Sequence, residues 1–248
     1  MAPPWILFAI SSLVFIGALM IAWERLRAGG APSPRAASSA ALYLVNQGVL
    51  APLLAASFAA IEGALHPSGR PRTAWSASQI VIAVLFFEAV TYALHRLAHR
   101  SRWLYRFHRV HHEGADLHWL DAFRQHPVEF ALFQGLGNLP AVLLFGTAGH
   151  VSLWINVGLR LVTAWLHARG PVGLGRLEYL LTSPSMHHAH HEGRVIRNYG
   201  GMLSVFDWLF GTAEPTRSLP PTFMRSRRIA SGAVLEARNL RRLVESAR

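Results

Sequence analysis

The 248-residue chain contains no cysteine. Disulfides, thiolate metal sites and a cysteine nucleophile are therefore excluded, and any transition-metal site must be built from nitrogen and oxygen ligands. Lysine is missing too: all 24 basic residues are arginine. Charge is scarce, with 15% of residues charged against 52% hydrophobic, and the mean hydropathy is +0.26. That balance is too apolar for an ordinary soluble domain and points to a membrane protein. A net charge of +11 could suggest nucleic acid. In a chain this apolar, loops facing an anionic leaflet are the better reading.

What is present is long uncharged runs. Residues 3 to 23 carry no charge, and about 20 such residues span a bilayer core. Arg25 and Arg27 follow this run instead of preceding it, which favours a retained anchor over a cleaved signal peptide and puts its C-terminal end in the cytoplasm. A second run covers residues 36 to 61, and HPSGRPR (66 to 72) breaks it. A third starts near Thr73 and reaches Leu94, interrupted only by Glu88. Residues 130 to 166 are apolar again apart from Arg160, with Pro140, Gly146 and Gly149 dividing them in two. The expected fold is an all-α integral membrane helical bundle of about four apolar helical segments, the last two a hairpin, with a cytoplasmic His-rich helical metal domain. The expected organisation is a two-helix N-terminal anchor region over residues 1–72, a metal domain over 73–214 and a basic tail over 215–248.

Histidine is the abundant reactive residue, with 14 copies. HRLAH places His95 and His99 at i and i+4. HRVHH places His108, His111 and His112 at i, i+3 and i+4, and HHAHH repeats that spacing with His187, His190 and His191. On a helix these offsets share a face, so three short helices could aim imidazoles at a common point. That many nitrogens exceed the roughly four ligands of a single zinc and suit two metal ions. Ser183 and Pro184 read as the cap and first residue of the third His helix. His66, His118 and His150 read as ordinary turn or surface residues, and His188 as exposed or supporting the ligands.

These residues resemble the fatty acid hydroxylase (sterol desaturase-like) superfamily of integral-membrane, non-haem di-iron oxygenases. The resemblance rests on H-x-x-x-H at 95 to 99, H-x-x-H-H at 108 to 112 and H-x-x-H-H at 187 to 191. HPVE (126 to 129), WLH ending at His167, NYG (198 to 200) and DWLFGT (207 to 212) add to it. It runs from about Phe86 to Thr212, and the N-terminal spans look like plain anchors. It implies as metal ligands His95, His99, His108, His111, His112, His187, His190 and His191, with His167 after the hairpin and His126 of the His-Pro motif. It implies two iron ions, which zinc can replace, O2, a lipid substrate, and hydroxylation or desaturation in the membrane. A bacterial inner membrane is the expected location.

Each ligating ring needs a partner for its second nitrogen. Glu88, Glu113, Asp121, Glu129, Glu178, Glu192, Asp207 and Asn198 are the candidates nearby. The chain has no Gly-rich dinucleotide motif and no cysteine for an iron–sulfur centre, so electrons must come from a separate carrier protein and reductase. Arg102, Arg106 and Arg109 offer a dock for an acidic carrier or contact headgroups. The alternative function is a His-rich membrane protein that binds zinc without redox activity. A metalloprotease would want H-E-x-x-H, but HRLAH has Arg96 where the glutamate would stand.

Overall fold

A computed structural model describes residues 4–29, 33–65, 75–113, 116–147, 149–192 and 197–216. His66, Arg70, Arg72 and the tail beyond residue 216 lie outside the described residues, as does the side chain of His150. The described residues are helical, without strands beyond one isolated bridge between Leu181 and Leu203.

Among the described residues, four stretches are long and apolar enough to cross a membrane: Ile6–Ala28, Ala36–Leu65, Ala77–Arg100 and Pro127–Phe145. The first is α1 (Pro4–Ala28). The second is α2 (Ala36–Val45) continued through a π-turn, Asn46–Leu50, into α3 (Ala51–Leu65). The third is α4 (Ala77–Arg100), opened by a capping box in which Ser76 Oγ accepts from the Gln79 N–H. α6 (Pro127–Phe145) and α7 (Gly149–His167) are the two halves of the expected hairpin, separated at Gly146, which has φ +76°. α6 lies on α4 and α3, whereas α7 lies on α1, on a 3₁₀ turn at Trp119–Phe123, and on α8 (Pro184–His191).

The first helix is more than an anchor. Ala9, Ile16 and Met20 of α1 pack with Tyr43, Trp119, Phe123, Ala164 and Ala168 in one buried cluster. At the end of α1, Glu24 is buried and accepts hydrogen bonds from the backbone N–H groups of Trp119 and Arg169, both at 3.0 Å. His118 Nε2–H donates to the other Glu24 oxygen at 3.1 Å. His118 is therefore a buried structural residue and not a surface one. Its Nδ1 accepts from the Leu120 N–H at 3.2 Å, which leaves its proton on Nε2. The 3₁₀ turn is held from α2 as well, where Ser39 and Arg35 donate to Asp121.

Candidate metal centre

The three His motifs sit on different kinds of backbone. His95 and His99 occupy the last two turns of α4, a continuation of a membrane-crossing helix and not a separate short one. α5 (Arg102–His108) ends at His108, and His111 and His112 lie in the turns that follow, so the second motif is not a helical stripe. The turns still aim the three rings inward, because the His111 and His112 N–H groups both bond the His108 carbonyl, at 2.9 and 3.3 Å. The third motif is α8, with Ser183 Oγ accepting from the Met186 N–H and Pro184 at the first turn. α7 ends at His167.

These elements bring nine imidazoles together in two adjoining groups. One contains His95, His99, His108, His112 and His190; the other contains His111, His167, His187 and His191. Within each group the ligand-capable nitrogens lie within 4.8 Å of one another. The groups meet where the His112 and His191 rings stack, centroids 4.2 Å apart. His126 is not brought to either group. It is the N-cap of α6, its Nδ1 accepting from the Val128 N–H at 3.1 Å, and its ring packs on Phe107. His188 is fully buried, which removes the exposed alternative and leaves that of supporting the ligands.

Partners on the far side of the rings set the tautomers. His95 Nδ1–H donates to the Tyr199 carbonyl at 2.7 Å, His190 Nδ1–H to the Arg197 carbonyl at 2.6 Å, and His167 Nδ1–H to the Thr163 carbonyl at 2.8 Å. A carbonyl can only accept, so each of these rings carries its proton on Nδ1 and presents a bare Nε2 lone pair inward. His108 Nδ1–H donates to Glu129 at 2.6 Å, the one ring of the nine given a carboxylate partner among the described residues. Of the other expected acids, Glu113 is exposed and pairs with Arg124, while Asp207, Glu88 and Glu178 bond to backbone and hydroxyl groups.

The consequence is lone pair facing lone pair. His190 Nε2 lies 3.0 Å from His95 Nε2, although both rings hold their protons on Nδ1. His167 Nε2 lies 3.1 Å from His187 Nε2 and 3.3 Å from His111 Nε2. The His95–His190 pair, with both protons held on Nδ1, repels unless a cation lies between the two Nε2 atoms. Metal–nitrogen bonds of about 2.0–2.1 Å, opening angles of about 90–110°, separate ligand atoms by about 2.8–3.4 Å. In the second group, Nδ1 of His111 and His187 and both nitrogens of His191 are buried without a hydrogen-bond partner among the described residues. Burial, and then the neighbouring imidazoles, push His108, His111, His112, His187, His190 and His191 well below the usual histidine range. These rings are neutral at pH 7, which is the state that ligates metal. The donor set is compatible with a metal site.

An apolar helical bundle capped by a nine-imidazole cluster defines a histidine-rich protein of membrane-length helices whose donor set suits a metal. Residues 80–212, more than half of the chain, match the family model described as fatty acid hydroxylase. The chain belongs to that family.

Among curated proteins it is 33% identical over 141 residues to ornithine lipid hydroxylase OlsE of Rhizobium tropici, covering 55% of this chain and 42% of that protein. It is 32% identical over 127 residues to human alkylglycerol monooxygenase, covering 50% of this chain and 28% of the relative. It is 34% identical over 124 residues to rat methylsterol monooxygenase 1, covering 49% and 41%. The chain thus spans less than half the length of these relatives. No solved structure matches it.

The motif spacing pointed to eight of the nine clustered histidines, and the family resemblance added His167. The signal for His167 in the residues alone is its place at the end of an apolar run, where the chain leaves the membrane. Tyr199 and Arg197 were invisible because their contributions are backbone carbonyls, which carry no side-chain signature.

Proposed function

We propose that this protein is a di-iron lipid hydroxylase of the membrane, with His95, His99, His108, His112 and His190 holding one iron and His111, His167, His187 and His191 the other. The observation that carries this reading is the pair of unprotonated nitrogens facing each other at 3.0 Å between His95 and His190, inside a cluster of nine. Bound iron supplies reductive activation of O2 and the power to oxidise an unactivated C–H bond, with hydroxylation as the expected outcome and desaturation as the alternative. The chain's own residues do the holding. Carbonyls of Tyr199, Arg197 and Thr163 and the carboxylate of Glu129 keep the rings in one tautomer and one orientation. Buried Met186, Ala189, Leu166 and Ala98 exclude water around them.

The relatives named above act, by their names, on ornithine lipid, alkylglycerol and methylsterol. A membrane lipid is the shared substrate class and the one we assign here. Electrons come from a separate carrier and reductase. The bundle sits in a bacterial inner membrane with its metal domain, residues 73–214, on the cytoplasmic side. The N-terminal residues 1–72 are the anchor region and 215–248 the basic tail.

The test is lipid mass spectrometry of cells lacking the protein against cells expressing it, under 18O-labelled dioxygen. A lipid that gains one labelled oxygen supports hydroxylation. One that loses two hydrogens without label supports desaturation. An unchanged lipid profile, with iron and reductant supplied and protein in the membrane, overturns the oxygenase reading and leaves a metal-binding protein. Zinc alone at full occupancy in native protein points the same way. A reporter fused after residue 248 that is active only outside the cell overturns the orientation.

A further inference from the structure

The segment after the third His motif does not stay at the end of the bundle. Residues 199–203 run back along α4 from His95 to Glu88, and the chain then returns to Tyr92 by Phe210 and Thr212. Tyr199 sits at His95, Phe210 stacks on Tyr92 with centroids 5.5 Å apart, and the Leu203 N–H donates to Glu88 at 2.9 Å. From His95 to Glu88 is seven helical residues, about 10 Å along the axis, all within a stretch able to cross the membrane.

Irregular backbone at that depth is tolerated only if the protein satisfies its polar groups. Here it does. Asp207 accepts from the Tyr199 and Gly200 N–H groups and from the Thr212 hydroxyl, all at 2.7–2.8 Å. Glu88 takes Leu203, and the Thr182 and Ser204 N–H groups bond the Met202 and Leu180 carbonyls. The outer face of the segment is apolar and uncovered. Leu209 is 70% exposed, Phe210 53%, and the adjoining 3₁₀ turn Gly175–Tyr179 adds Leu177 at 58% and Leu180 at 54%. The two elements are tied together by Trp208, whose Nε1–H donates to the Glu178 carbonyl and whose ring packs on Tyr179.

We infer that these four side chains are an interfacial apron inserted into the leaflet beside α4, so that the metal domain lies on the bilayer and does not stand off it. The occupant is lipid. The patch is continuous, through the Phe210–Tyr92 stack, with the surface of α4, where Val81, Ile82, Leu85 and Phe86 are also exposed. Exposed Arg176 adjoins Leu177 in the same turn, as expected where apolar side chains meet headgroups.

The absence of native cysteine makes the test clean. Leu177→Cys and Leu209→Cys are spin-labelled in turn in the full chain, in phosphatidylethanolamine/phosphatidylglycerol vesicles, with Val81→Cys as the lipid-facing reference. Collision with O2 and with an aqueous nickel chelate is then measured. The expected result is O2 access exceeding chelate access, at a depth of about 5–10 Å below the headgroups. Chelate access exceeding O2 access puts the patch in water. Shielding from both means that a second copy or another protein covers it. Either result overturns the inference while leaving the lipid-oxidation reading standing, and a failure of that reading leaves this measurement unaffected.

Discussion

Glu24→Ala is the perturbation that asks most of the structure. Glu24 lies near the C-terminal end of the first helix, far in sequence from every histidine of the cluster, yet it is 1% exposed and holds three donors. Two of them, the Trp119 N–H and His118 Nε2–H, are buried, and each loses its acceptor when the carboxylate is removed. A hydrogen bond to a charged acceptor is worth about 1.5–3 kcal/mol, so the pair costs about 3–6 kcal/mol. The third, the Arg169 N–H, is only part-buried, and water can replace its acceptor at small cost.

Glu24→Gln should cost less, about 1.5–3 kcal/mol, because one oxygen still serves Trp119. Its new N–H₂ then faces His118 Nε2–H, donor against donor. The assay is reversible unfolding in detergent micelles, read beside bound metal per chain. The variant should also lose metal, since Glu24 ties down Arg169, two residues past His167, and the turn that follows His112. A Glu24→Ala protein within about 1 kcal/mol of the parent, with full metal, would refute the reasoning and return α1 to the role of a plain anchor.

Three further outcomes are expected. Glu129→Ala, which removes the carboxylate behind His108, should weaken metal binding by about 10–100-fold, measured by competition with a chelator, with Glu129→Asp or Gln recovering part of it; unchanged affinity removes Glu129 from this role. His126→Ala should keep full metal and cost about 0.5–2 kcal/mol as a lost helix cap, whereas His112→Ala or His191→Ala should lose metal and activity while inserting normally; metal analysis of the three decides. The metal-free protein should lose stability as pH falls below about 6.5, because the unfolded chain takes up protons on histidines that the folded chain keeps neutral. Six rings held well below their usual range give a limiting slope of about 8 kcal/mol per pH unit, and a melting temperature flat from pH 7 to 5 would contradict their burial.

The sequence by itself determined the apolar helical character and the histidine-rich donor set. Uncharged runs of bilayer length can be satisfied only as helices, and eight histidines at helical offsets without any cysteine leave few other uses. His167 came only through the family resemblance, since a single histidine after an apolar run has no motif spacing of its own. The sequence named His126 among the ligands, and nothing in residue type showed that folding would set this ring at a helix cap away from both His groups. It took His118 for a surface residue, since its partner Glu24 is 94 positions away in a helix that reads as an anchor. It could not decide how the nine rings divide five and four, nor which of the nearby acids faces a ring. Those follow from packing: α4 and α7 arrive from separate parts of the bundle, and only the approach of α8 to each of them sets which nitrogens are 3 Å apart. Tautomers, too, depend on backbone carbonyls of Tyr199, Arg197 and Thr163, whose direction is a property of the folded chain and not of residue type.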